Sequence, residues 1–426
     1  MAFSNDLFFA PAHQLAAMLR KRDVSSVEMV SAFIERIESV NHGLNAVVTL
    51  VEERAAREAE DSDKRLAGKG EIRPLEGLPI TIKDSVMTEG VRSTDGMKIF
   101  EHYVPAHDAP TVARLRAAGA VIIAKTNLPE MAMDYDCDNP VFGATNNPWN
   151  RARVPGGSSG GEAAALAAGM SPLGLGSDYG GSIRVPSHFC GTVGLKPTWG
   201  TIPMSGHMPP GEAAPPPISH MATIGPMARF VDDLTLSYNI LRGSHPSALY
   251  TVPSAEVHPE KVDLKKLRCA IFTNAGEIPV ASDIRTAIER AGKELQKAGI
   301  AVEEVKPPVD VGARIWWEYA MADGNQLGIE ALGDNLKLSR ERLRNNMAAS
   351  PSKSAAEYFK IAMARDSWRL KLAEFMERYP IILGAPFCVT AFEHGAVEVD
   401  IDGKKVPLFS ANWPALWVNC AGLPGA

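Results

Sequence analysis

The sequence predicts an α/β fold built on a mixed or mainly parallel β-sheet. Short, nearly uninterrupted apolar runs such as Leu78–Ile82 and Val121–Ala124 read as strands buried on both faces. Segments with apolar residues at helical spacing, such as 11–39 and 282–298, alternate with them. No internal repeat or low-complexity linker breaks the alternation. Strands and helices in turn are the pattern of a sheet covered by helices.

Residues 11–39 carry the helical period in two pieces. Leu15, Met18 and Leu19 mark the first. Ser25 and Ser26 cap the second, with Glu28 in its first turn and Val27, Met29, Val30, Phe33, Ile34 and Ile37 turned inward. Leu44–Val51 reads as a strand and Glu52–Lys69 as a charged, alanine-rich helix. Leu78–Asp84 is a buried strand ending in polar residues, Ala109–Ala118 a helix, and Val121–Asn127 a second buried strand. Helix 161–169 and strands 173–177 and 193–196 follow, and 202–220, rich in proline, glycine and methionine, reads as a surface loop. Strand Leu267–Phe272, helix Ser282–Ala298 and strand Ala301–Val305 form a further unit. Residues 310–380 are mostly helical, and their Trp316, Trp317, Tyr319, Tyr358, Phe359 and Trp368 suit a lid or pocket wall as well as plain core packing. The organisation expected is one domain over 1–426, with its core at about 11–305 and the helical region at about 310–380.

Composition narrows the class. The chain has 426 residues, 45% hydrophobic and 22% charged, enough for a large core. A net charge of −6, with no basic tract, gives no pull toward nucleic acid or acidic membranes. Five scattered cysteines without a CxxC argue against a disulfide framework or a zinc site and suit a cytoplasmic setting. The N-terminal stretch reads as neither signal peptide nor anchor, and no apolar run reaches the roughly 18 residues of a spanning helix.

The chemistry concentrates in 155–199. Two glycine-flanked serine clusters, Gly-Gly-Ser158-Ser159-Gly-Gly and Asp178-Tyr-Gly-Gly-Ser182-Ile-Arg184, lie 24 residues apart. So many glycines around hydroxyls suit a backbone that approaches a ligand closely. A serine nucleophile needs a base, and no histidine has an obvious part; His188 reads as a loop or core histidine. A buried lysine, its pKa lowered by desolvation, can serve instead. Lys83, at the end of an apolar strand, suits that part, although a strand-end lysine is more often an ion-pair partner, here of Asp84.

Lys83 in Gly-Leu-Pro-Ile-Thr-Ile-Lys-Asp, together with the two serine runs, resembles the amidase signature family. The segment Thr126–Trp149, with Tyr135-Asp-Cys-Asp-Asn-Pro-Val-Phe-Gly, is similar in particular to the branch of fatty acid amide hydrolase, aryl acylamidases and urethanases. The resemblance is dense over 74–200 and weak over 245–400. It implies the amidase signature fold, a central mixed β-sheet with helices on both faces, and a serine hydrolase without cofactor or metal. By that resemblance Ser182 is the nucleophile, Ser158 a bridging serine after a cis peptide bond, and Lys83 the general base. The backbone amides of Tyr179, Gly180, Gly181 and Ser182 are the expected oxyanion donors. Ser159 and Ser177 are expected to hydrogen-bond within the site, and Asp178 and Arg184 to hold the loop as charges. Met131, Ala132 and Met133 match a stretch that lines the acyl pocket, and equally read as core residues. Family members continue for several dozen residues past the part matching Trp417–Ala426, adding strands to the sheet.

The function expected on this basis is cleavage of carbon–nitrogen bonds in amides, anilides or carbamates with apolar acyl or aryl groups. The partner implied is that small-molecule substrate, without nucleic acid or membrane anchor, and a homodimer is admitted. The alternative is the glutamine-hydrolysing subunit of a tRNA-dependent amidotransferase, and a third is a non-catalytic binding protein on the same scaffold. A P-loop is excluded because the Gly-Gly-Ser-Ser-Gly-Gly run leads to Glu162 and not to lysine, and no dinucleotide fingerprint or metal-ligand spacing occurs.

Overall fold

The computed structural model describes residues 5–210, 215–274, 276, 278–348 and 351–426. The strands of its main sheet are β1 (Val47–Leu50), β2 (Pro79–Lys83), β3 (Val121–Thr126), β4 (Leu173–Asp178), β5 (Val193–Gly194) and β6 (Thr223–Ala228), in the order β1-β3-β2-β4-β6-β5. The three central strands are parallel, and the outer ones are antiparallel to their neighbours, so the sheet is mixed. Every residue of β2, β3, β4 and β6 is buried, as the apolar runs require. A smaller parallel sheet orders β8 (Ala301–Glu304), β7 (Arg268–Ile271) and β9 (Ile381–Leu383), and β10 (Glu398–Ile401) pairs with β11 (Lys404–Pro407) as a hairpin.

This topology positions the site. β2 and β4 run side by side in the same direction, so Lys83 and Asp178 end on one edge of the sheet. In open α/β sheets, the space beyond the carboxyl ends of the strands is where ligands bind. The helix Gly160–Ala167 packs against these strands, and its small residues allow that closeness. A Cβ on Gly161 would lie 2.4 Å from the Asn127 nitrogen, and one on Gly174 would lie 1.8 Å from Glu162 Oε1.

The helix Ser26–Val40 starts in a capping box, Ser25 Oγ accepting from the Glu28 amide while the Glu28 carboxylate accepts from the Ser25 amide. Val27, expected inward, is exposed in its first turn. Strands β1 and β5 are shorter than the apolar runs suggested. Strand β6 escaped the sequence because Gly225 and Pro226 interrupt its pattern. In 202–220 the structure adds a short helix, Pro216–Ser219, while 211–214 lie outside the described residues.

The 310–380 region forms helices Val309–Ala320, Gln326–Leu332, Glu341–Ala348 and Ala355–Arg378. Trp316, Tyr319 and Trp368 pack with Leu416, Trp417 and Val418 of the helix Trp413–Ala421, so these aromatics are core, whereas Phe359 is exposed. No helix among the described residues is long and apolar enough to cross a membrane.

Candidate active site

Lys83 is fully buried at the end of β2, where its Nζ donates to Ser158 Oγ at 2.6 Å and to Ser177 Oγ at 2.9 Å. Burial pushes its pKa down to about 8, against the opposing charge of Asp95. It makes no ion pair with Asp84, whose Oδ2 accepts from the Thr94 amide and hydroxyl and whose Oδ1 lies 3.9 Å from Lys125 Nζ.

The Gly157–Ser158 peptide is cis. A Cβ on Gly157 would sit 2.1 Å from the Asp134 carbonyl oxygen, so only glycine lets segment 134–135 lie against this turn. The Ser159 amide donates to the Ser182 carbonyl at 3.0 Å, tying the two serine clusters together. Ser159 Oγ also accepts from the Ser177 amide and donates to the Ser177 carbonyl, each at 3.3 Å. Exposure rises from Lys83 at 0% through Ser158 at 1% to Ser182 at 8%, so Ser182 stands nearest the solvent end of the group.

The loop after β4 is held by charge. Asp178 Oδ1 accepts from the Gly181 amide at 2.8 Å and Oδ2 from the Ile183 amide at 3.1 Å. Arg184 closes a two-pronged pair on the same carboxylate, with both distances 3.0 Å. Burial alone would raise the Asp178 pKa, but Arg184, with Lys196 and the Gly181 amide, outweighs it and holds the carboxyl well below the usual range. The guanidinium also donates to Asn419 Oδ1 at 2.6 Å and to the Ala415 carbonyl at 3.1 Å.

Of the four expected oxyanion donors, Gly181 therefore already spends its amide on Asp178. The amides of Tyr179, Gly180 and Ser182 donate to no group among the described hydrogen bonds. The loop carbonyls are pinned: Trp316 Nε1 donates to the Tyr179 carbonyl at 3.0 Å, and Tyr135 Oη and Asn412 Nδ2 donate to the Gly180 carbonyl at 3.1 and 2.5 Å. In a planar trans peptide the N–H opposes the C=O, so Trp316 turns the Gly180 amide the other way. Sequence reasoning named Trp316 only as a lid, pocket-wall or core aromatic and missed Asn412; they lie 137 and 232 residues from their partners and carry no motif. Tyr135 lay inside a segment already singled out.

The remaining residues fall outside this group. Met131 and Met133 pack with Met97, Leu343 and Met347, and Ala132 follows Met131 in a short turn where both have left-handed backbone. His188 is half-buried, its Nε2 at 3.2 Å from the Val389 carbonyl oxygen. No cluster of His, Cys, Asp and Glu suited to a metal occurs among the described residues.

Residues 28–426 match the amidase family model. The chain belongs to the amidase signature family. Its α/β amidase signature fold, a mixed central sheet flanked by helices, is that of solved enzymes of the family. The chain is 32% identical to the A-subunit of glutamyl-tRNA(Gln) amidotransferase from Carboxydothermus hydrogenoformans, over 99% of this chain and 90% of that protein. It is 34% identical to the same protein from Geobacillus thermodenitrificans, over 98% of this chain and 92% of that one. A fatty acid amide hydrolase structure superposes with a TM-score of 0.86 at 25% identity, covering 99% of this chain and 74% of that one.

These relatives overturn the expected preference for apolar amides, anilides and carbamates. The residues behind that preference have other work in this amidase. Tyr135 braces the Gly180 carbonyl, Asp136 pairs with His394 at 2.9 Å and the Gly395 amide at 2.7 Å, and the methionines pack against the helices 326–348. An amidase cleaving carbon–nitrogen bonds is what the family membership carries.

Proposed function

We propose that this amidase is a glutamine-hydrolysing subunit that frees ammonia for a tRNA-dependent amidotransferase, acting with a partner protein. The observation that carries the reading is the 32–34% identity, over nearly the whole chain, to the glutamyl-tRNA(Gln) amidotransferase relatives. The site supports it with the groups the reaction needs. Neutral Lys83 takes the proton of Ser158 as Ser158 takes that of Ser182, and Ser182 Oγ attacks the carboxamide carbon. The carbonyl oxygen becomes an anion facing the amides of Tyr179, Gly180 and Ser182, while Gly181 holds the loop through Asp178. The tetrahedral species collapses, and the proton on Lys83 returns through Ser158 to the leaving nitrogen. Water then adds by the same relay and releases glutamate.

The experiment is ammonia release from glutamine by the purified chain, alone and with its partner proteins, against an anilide and a fatty amide. Glutamine is expected to be the best substrate and Ser182→Ala to be silent. Turnover of the anilide with none of glutamine, in the complete complex, overturns the proposal.

A further inference from the structure

Each turnover under the triad reading makes a lysine ammonium in a fully buried space, where an unbalanced charge is costly. Several titratable groups lie within electrostatic reach of Lys83: Asp95, whose turn 94–97 is tied through Thr94 to Asp84 beside the lysine, Cys137, Glu162 from the helix Gly160–Ala167, Asp178 at the end of β4, and His207. Most are already committed. Glu162 accepts from Thr81 at 2.5 Å and from Thr126 at 2.8 Å, and Asp178 is paired with Arg184. Burial pushes the Cys137 thiol up to about 12 and His207 down to about 3, so both are neutral. Asp95 is different. Both its carboxyl oxygens are buried and make no hydrogen bond, although the residue is fully enclosed.

The backbone holds Asp95 there. Its φ is +52°, its carbonyl accepts from the Met131 amide at 3.0 Å, and Thr94 beside it is anchored on Asp84. The other acids near it, Asp84 and Glu130, have partners of their own in Thr94 and the Arg340 amide. We propose that Asp95 is a positioning residue for the proton relay, carrying the negative charge that balances protonated Lys83 and thereby setting the pH at which the lysine becomes a base. Burial holds the Asp95 pKa well above the usual carboxylate value and the Lys83 charge opposes that rise, so the carboxyl ionises most readily while Lys83 is protonated.

The inference rests on Lys83 and Ser182 as base and nucleophile, so its test avoids glutamine. A fluorophosphonate labels Ser182 across a pH series, and peptide mass confirms the site, in the unaltered chain, Lys83→Met, Asp95→Asn, Asp95→Ser and Asp95→Glu. Labelling of the unaltered chain is expected to rise with pH to a plateau, and Lys83→Met to lose that rise. Asp95→Asn suits the left-handed backbone, and its rise should move at least about one pH unit lower, the effect of losing a nearby opposite charge. Asp95→Ser should move the same way, and Asp95→Glu should restore the original midpoint. A purely structural Asp95 would slow labelling at every pH with the midpoint unmoved, and that result in either Asn or Ser overturns the inference alone. An unlabelled native chain, or a Lys83→Met variant with the native profile, overturns the triad reading and this inference together.

Discussion

The carboxyl edge of the main sheet and the helical block 309–378 use burial in opposite ways. At the edge, Lys83, Asp178, Glu162 and Arg184 are charged or polar, enclosed, and fixed by named partners. In the block, aromatics such as Trp316 and Trp368 turn to the core while Phe359, Met363 and Leu370 face solvent. A buried polar group costs free energy unless it is paired. The edge therefore leaves little freedom in its residue types, whereas the block needs only apolar residues of suitable volume on one face. They meet where Trp316 Nε1 donates to the Tyr179 carbonyl, and where Arg340 and Arg342 bond to Glu130 and Asp134 beyond β3.

The largest effect should come from removing the proposed relay. Ser182→Ala and Lys83→Ala are expected to lower glutamine turnover by roughly 10³- to 10⁶-fold, the range for removing members of a catalytic unit. Trp317→Ala, in the helical block, should cost less than about tenfold. Rates with matched thermal melts check this, and equal losses in the two regions would erase the contrast.

Next is the buried pair that holds the loop. Arg184→Met leaves the Asp178 carboxylate enclosed without its main counter-charge and should cost about 3–5 kcal/mol of stability. The exposed pair Lys64–Asp61, 2.9 Å apart, is the surface control: Lys64→Ala should change urea unfolding far less. Because the Asp178 pKa is depressed in the fold, its stabilisation is present above the ordinary carboxylate pKa and is lost as pH falls. The difference between Arg184→Met and the unaltered chain should therefore shrink in acid.

The same contrast explains what was legible in the sequence. Around Lys83, Ser158 and Ser182, burial and close glycine-lined packing restrict residue type, so motif, strand pattern and the buried cluster coincided. The strands β2, β3 and β4 were readable because their apolar runs are short and continuous. Strand β6 was not, since Pro226 and Gly225 sit inside it. Asn412 and Asn419 brace the site from the helix Trp413–Ala421 and its approach, where lone asparagines carry no pattern. Asp95 carries no signal in the sequence, since aspartate is common at left-handed positions. The substrate misreading has a physical root as well. An apolar, methionine-rich segment is compatible with packing and with binding alike, and Met131 and Met133 pack with Met97, Leu343 and Met347.

A smaller effect is expected at the close approach of helix and sheet. Gly174→Ala would place its Cβ 1.8 Å from Glu162 Oε1, and the carboxyl cannot retreat without giving up Thr81 or Thr126. Overpacking of this kind costs about 1–3 kcal/mol. Chemical denaturation measures it. A matched Gly333→Ala change, at a site with open space around the added carbon but a φ of +50°, separates backbone strain from the clash. If Gly174→Ala costs no more than Gly333→Ala, the tight fit at the edge does not limit the fold.

The smallest effects should lie on the exposed face of a single helix, set against its buried face. In Ala355–Arg378, Trp368 and Leu372 are buried, with Trp368 Nε1 donating to the Pro308 carbonyl at 2.6 Å and Arg365 Nε to the Cys420 carbonyl at 2.8 Å. Residues 359, 363 and 370 fall on the opposite face at the helical period, each more than 60% exposed. Trp368→Ala should cost about 3–5 kcal/mol, as large aromatic truncations in cores do. Phe359→Ser, Met363→Ser and Leu370→Ser should each stay within about 0.5 kcal/mol, the usual range for surface substitutions. Urea midpoints on the four variants check the ratio. A serine variant that destabilises the chain by about 2 kcal/mol or more, well outside that surface range, would mean that this face is covered in solution, and the free side of the helical block would then be as constrained as the edge that holds Lys83.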